Sequence, residues 1–146
     1  MRGGILLLGL VVATALGVAA SAQNAAAQNA PEREAALRER VTRYWQARND
    51  FNLVAAYPYY EPEFRTAYPL EQFLSNFQRL LRFRPQFLGI DRVVIDAEGR
   101  SARVGVRLRF KPADLNGEAL DSVTEDAWLL IGDVWYHARE PMLPAI

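Results

Sequence analysis

The apolar residues of this chain change their spacing once, and that change limits the fold more than any other feature. Up to Leu81 they recur at helical intervals, and from Arg84 onward they alternate with polar ones. A chain that is helical first and stranded second, with no return to helix, predicts an α+β fold: helices gathered against an antiparallel sheet.

In the first half, Pro31 stands at a first helical position, followed by Glu32 and Glu34, whose charges suit the positive end of a helix. Leu37, Val41, Tyr44, Trp45 and Arg48 follow at helical spacing, and Glu34–Arg38 and Glu39–Arg43 are ion pairs in the favoured order. This predicts a helix over 31–48. Asn49-Asp50 supplies a turn and an N-cap for a short helix over 51–57, which Pro58 ends. The aromatic, Pro-broken run from Tyr57 to Arg65 predicts a packed loop. Pro69 then opens a third helix, with Leu70, Phe73, Leu74, Phe77 and Leu81 on one stripe.

In the second half, strands are predicted over 87–95 and 103–110, joined by the turn Asp96-Ala97-Glu98-Gly99. Lys111–Glu118 forms a loop before a long strand over 120–131. Gly132-Asp133 is a two-residue hairpin into a last strand over 134–139, and Pro141 and Pro144 end the ladder. Val104, Val106, Leu108 and Phe110 share one face of their strand, and Arg103, Arg107 and Arg109 the other. Opposite them, Asp121, Glu125 and Asp126 predict cross-strand ion pairing that leaves the outer face electrically quiet. Arg107 decides the point: without a carboxylate on the 120–131 strand, an arginine stripe stays open to an acidic partner.

Residues 3–22 carry no charge and end in Ala20-Ser21-Ala22 after a positive start at Arg2, the order of a secretory signal peptide over 1–22. A signal-anchored membrane form is the alternative, because about twenty apolar residues span a bilayer. Residues 23–30 (QNAAAQNA) predict a flexible linker, leaving 31–146 as one domain. Export, to the periplasm or outside the cell, brings no disulfide, because the chain has no cysteine. Basic and acidic residues balance at 17 each, so no overall field gathers nucleic acid.

Helices followed by sequential antiparallel hairpins are the order of the nuclear transport factor 2-like, cone-shaped superfamily, and the local pattern extends the resemblance. Tyr44-Trp45-Gln46-Ala47-Arg48-Asn49-Asp50-Phe51 resembles that family's first helix with its polar, aspartate, aromatic corner. The segment 57–65 is similar to its aromatic run, and Trp128 to Tyr136 to its closing hairpin. The resemblance covers about residues 31–141 and implies three helices packed on a curved antiparallel sheet. Members include isomerases, dehydratases, hydrolases, transport adaptors and exported domains, so the resemblance does not select an activity.

The candidates for chemistry are few. His137, the only histidine, acts as a general base if Asp126 orients it, and the plainer reading puts it on the outer face or a sheet edge. Ketosteroid isomerase-like members combine an aspartate with tyrosine donors, and Tyr44, Tyr57 and Tyr60 are available here. Asp91 and Asp126, however, sit beside other charged residues. Tyr44, Trp45, Tyr57, Tyr60, Phe77 and Trp128 line a ligand pocket if the cone is open, and with Phe73 and Trp135 they are core if it is filled. One histidine and no cysteine leave no metal ligand set of the usual kinds, and no cofactor motif is present. The expectation is a non-catalytic exported binding domain, for a small apolar molecule in the cone or an envelope protein, with a homodimer through the sheet as a further option. The alternative is a small acid/base enzyme using His137 and Asp126.

Overall fold

The computed structural model describes residues 15–77, 85–111 and 118–138, with side chains from residue 29 onward. Its architecture is α+β: helices α1 (Ala15–Asn49), α2 (Leu53–Ala56), α3 (Pro62–Ala67) and α4 (Leu70–Phe77) precede strands β1 (Gln86–Ile95), β2 (Ser101–Phe110), β3 (Leu120–Ile131) and β4 (Val134–His137). The strands form one antiparallel meander in the order β1-β2-β3-β4. Leu81, Arg139, Pro141 and Pro144, and most of the predicted loop and signal segments, lie outside the described residues.

The helical half differs from expectation at three points. α1 begins well before Pro31, so residues 23–30, expected as a linker, are helical. Alanine and glutamine are strong helix formers, and Pro31 costs one backbone hydrogen bond rather than the whole turn. The second helix is capped by Asn52, whose side chain accepts from the Ala55 N–H at 3.0 Å, and not by the Asn49-Asp50 pair. Asp50 to Asn52 instead close α1: Asp50 N–H reaches Gln46 O and Asn52 N–H reaches Ala47 O, both at 2.9 Å, and Phe51 N–H reaches Arg48 O at 3.2 Å, with Phe51 itself left-handed at φ 56°. Finally, the expected loop over 57–65 is a 3₁₀ turn, Tyr57–Tyr59, followed by α3, which Pro62 starts at its first position. The helical layer therefore holds four α-helices and a 3₁₀ turn among the described residues, not three helices.

The strands follow the alternation closely. In β2 the side chains of Ala102, Val104, Val106 and Leu108 are buried, and in β3 and β4 Asp126, Trp128, Trp135 and His137 share that inner face. Gly132 (φ 54°) and Asp133 (φ 63°) make the two-residue hairpin, both left-handed as a type I′ turn requires. α1 packs its Leu37, Val41, Tyr44 and Trp45 stripe on this face. Two indoles hold it there: Trp135 Nε1 donates to Arg33 O at 3.1 Å, and Trp45 Nε1 donates to Asp126 Oδ2 at 2.7 Å. The corner after α1 is tied to β1 by Asn49, whose side chain accepts from the Phe87 N–H at 2.8 Å.

On the outer face the expected charge pairing is incomplete. Arg109 makes a two-pronged contact with Asp121 at 2.6 and 2.8 Å, and Glu125 bridges Arg103 at 3.2 Å and Arg92 at 2.7 Å. Asp126, expected to join them, faces inward. Arg107 lies opposite the exposed Val123, and no carboxylate of β3 forms an ion pair with it, which overturns the expectation of a fully paired face. The register explains it: each β3 carboxylate on the outer face sits opposite Gly105 or Arg109, two residues from Arg107 on either side.

Candidate functional site

α1 crosses the inner face of β3 and β4 with a run of polar groups where a core is usually apolar. Asp126 is 3% exposed and His137 5% exposed. Their placement follows from the strand period: Asp126 and Trp128 are two residues apart on β3, and Trp128 pairs with His137 on β4, so all three point inward. The reading of His137 as an outer-face residue is thereby corrected; it does lie on an edge strand, β4, but points inward from it. Asp126 Oδ2 accepts from Trp45 and lies 3.7 Å from His137 Nε2, beyond hydrogen-bond reach. The imidazole stacks on Tyr44 at 4.7 Å and meets Trp128 and Tyr60 edge-on at 5.3 and 5.4 Å. His137 Nδ1 and Trp128 Nε1 are buried with no hydrogen-bond partner.

Next to this lies a second polar group. Tyr44 and Tyr60 share a hydrogen bond between their hydroxyls at 2.9 Å, and Arg48 Nη1 donates to both, at 2.8 and 3.3 Å. Tyr60 reaches it because the 3₁₀ turn carries the chain back across the sheet end, where Tyr60 bridges to His137 and the Glu61 N–H bonds its carbonyl at 3.4 Å. Burial raises the Tyr44 phenol well above the ordinary tyrosine range, reinforced by Tyr60. Burial also raises Tyr60, against the opposing pull of Arg48. Burial acts to discharge Arg48, but the two phenol oxygens outweigh it and its pKa is raised. At neutral pH the trio is one guanidinium cation and two uncharged phenols.

Arg48 also borders an aromatic wall. Its guanidinium carbon stands 4.7 Å from the Phe77 ring, 5.6 Å from Trp45 and 5.7 Å from Tyr44, and Trp45 stacks on Phe87 at 6.1 Å. Past this wall the inner face opens: Phe110 is half-buried, and its partner Leu120 is 55% exposed.

Of the predicted site residues, the structure brings together Tyr44, Trp45, Tyr60, Trp128, Asp126 and His137 in one buried cluster, with Phe77 at its open margin. Tyr57 stands apart, its hydroxyl donating to the carbonyls of Arg65 at 3.0 Å and Tyr68 at 2.8 Å, where it braces α3. Asp91 is exposed on β1. Arg48 received no role from the sequence, although a cation on the stripe of Leu37, Val41 and Tyr44 was the available sign.

The pair Asp126–His137 has the makings of a general base, and its enclosure argues against that use. A reacting group must meet substrate, and here Trp45 occupies the carboxylate while three rings enclose the imidazole. As built, the pair fastens α1 to the sheet. No protein-family model matches this chain, and no curated protein does. Among solved structures it is similar to a protein of unknown function with a cystatin-like fold from Nostoc punctiforme, at 12% identity and a TM-score of 0.49, over 77% of this chain and 95% of that one.

Proposed function

We propose that the chain is a non-catalytic, exported binding domain of the nuclear transport factor 2-like kind, taking a small apolar ligand between α1 and the sheet at the Arg48 end. One observation carries the reading. The inner face is sealed over Asp126 and His137, yet past Arg48 it presents half-buried Phe77, Phe87 and Phe110 and an exposed Leu120. Apolar side chains converging on a few polar groups make a ligand wall rather than a finished core. Export rests on the uncharged run over 3–22 and its small-residue end.

The three indole N–H signals in a proton–nitrogen correlation spectrum test it. Saturating addition of 2-naphthalenemethanol, a neutral apolar probe, shifts the Trp45 signal and leaves in place that of Trp135, which lies on β4 and donates to Arg33 far along α1. Absence of any saturable shift refutes the ligand reading. Mass spectrometry of the native protein checks export: an N-terminus near Gln23 is expected, and an intact Met1 in a membrane fraction refutes the cleaved form. No described helix is long and apolar enough to cross a membrane.

The acid/base alternative keeps two observations in its favour: Asp126 Oδ2 lies 3.7 Å from His137 Nε2, and His137 Nδ1 is buried without a hydrogen-bond partner. Given any turnover, His137→Asn retaining it removes that alternative.

A further inference from the structure

We infer that the ligand of this site carries a carboxylate, and that Arg48, with the Tyr44–Tyr60 hydroxyl pair, is the group that receives it. The inference rests on the proposed binding site and adds the chemistry of its occupant.

The argument is a count of donors. Arg48 brings five N–H groups and no acceptor, and each phenol brings one O–H. Three hydrogen bonds exist inside the trio: Arg48 Nη1 to Tyr44, Arg48 Nη1 to Tyr60, and one between the hydroxyls. Whichever phenol donates in the last of these, the other keeps a proton with no acceptor, in a side chain 1% or 6% exposed. Among the described residues the Nε and Nη2 edge of the guanidinium has no hydrogen bond, and no carboxylate forms an ion pair with Arg48. Among the described residues the trio thus has a surplus of donors and one positive charge with no ion-pair partner, at the margin of an aromatic wall.

Two bland explanations account for part of this. Arg48 lies in the last turn of α1, where a cation meets the negative end of the helix dipole. Its plane also lies over Phe77 and Trp45 at cation–π distance. Both offset charge, and neither takes up a hydrogen-bond donor.

What satisfies both needs is an acceptor-only anion. A carboxylate offers two coplanar oxygens that match the free guanidinium edge, with lone pairs left over for a phenol proton. Its single negative charge equals that of the one cation, whereas a phosphate dianion would bury an unmatched charge. The wall of Trp45, Phe77 and Phe87 receives the rest of the molecule, so the class is a small apolar or aromatic carboxylic acid.

The test compares 2-naphthoate with 2-naphthalenemethanol, which share the ring system and differ in the polar group, by calorimetric titration of the full chain at neutral pH. The expected result is naphthoate binding at least about tenfold more tightly, the scale of one charge-assisted hydrogen bond. In Arg48→Met the preference disappears while alcohol binding persists. Tyr60→Phe keeps the buried ring, removes a hydroxyl and lowers naphthoate affinity several-fold, so it decides the question if Arg48→Met fails to fold. Equal binding of the two probes, or a preference that survives both substitutions, overturns the carboxylate and leaves the apolar site standing. Binding of neither probe overturns both readings.

Discussion

The hydrogen bond from Trp45 to Asp126 joins the helical layer to the sheet through a buried charge, and it makes a quantitative prediction. Trp45→Phe removes the indole N–H while keeping an aromatic ring on Phe87. The loss of a hydrogen bond to a charged group costs about 1.5–3 kcal/mol. The carboxylate then stays buried with only His137 Nε2 near it, at 3.7 Å, and the smaller ring leaves unfilled space. The total expected is roughly 3–5 kcal/mol. Asp126→Asn costs less, about 1–2 kcal/mol, because the amide oxygen still accepts from Trp45 while the charge is gone. In the Trp45→Phe background the same change is neutral or stabilising, since it removes an unpaired buried charge. Urea unfolding of the four proteins, followed by circular dichroism and by fluorescence, gives the cycle. A coupling energy of about 1–2 kcal/mol is expected, and additivity within roughly 0.5 kcal/mol refutes the claim that this contact ties the two layers.

Three further outcomes follow from the same geometry. Leu37→Ala, at a fully buried position on α1, costs about 2–5 kcal/mol in urea unfolding, whereas Val54→Ala on α2, 55% exposed, stays within about 0.5 kcal/mol. Hydrogen bonds from Arg92 and then Arg103 hold the Glu125 carboxyl below its ordinary value, so its contribution is present above the unfolded-state pKa and lost as pH falls through the folded one. The stability gap between wild type and Glu125→Gln is therefore steady near neutrality and closes in acid, which urea titrations at stepped pH will show. Tyr44 and Tyr60, held neutral by burial, fold with raised pKa values, so their contribution is complete below the ordinary tyrosine range and lost above it. Ultraviolet titration of the 6 tyrosines is expected to show two that ionise only at higher pH or with unfolding, and simultaneous ionisation of all six refutes their burial.

The part of this protein that its sequence determined is local and periodic. The stripe of Leu37, Val41, Tyr44 and Trp45 marked the buried face of α1, and Gly132-Asp133 marked the hairpin, because spacing and turn chemistry act over a few residues. The alternation in β2 likewise named its buried side before any pairing was known. Boundaries set by competing local preferences were less legible: nothing short of the folded chain shows that α1 runs back through 23–30, or that Asn52 caps α2. The candidate site was legible as residue types and not as an arrangement. His137 and Asp126 stand eleven positions apart on different strands, and only the β3–β4 register, Trp128 opposite His137, turns both inward. The same register sets Arg107 opposite Val123 and leaves it without an ion pair to a β3 carboxylate. Arg48 shows the limit most plainly. On a helical wheel it is one more member of the α1 stripe, and its lack of a carboxylate exists only once Tyr60, Phe77 and the sheet have been brought around it, because pairing of charges is a property of distance in space.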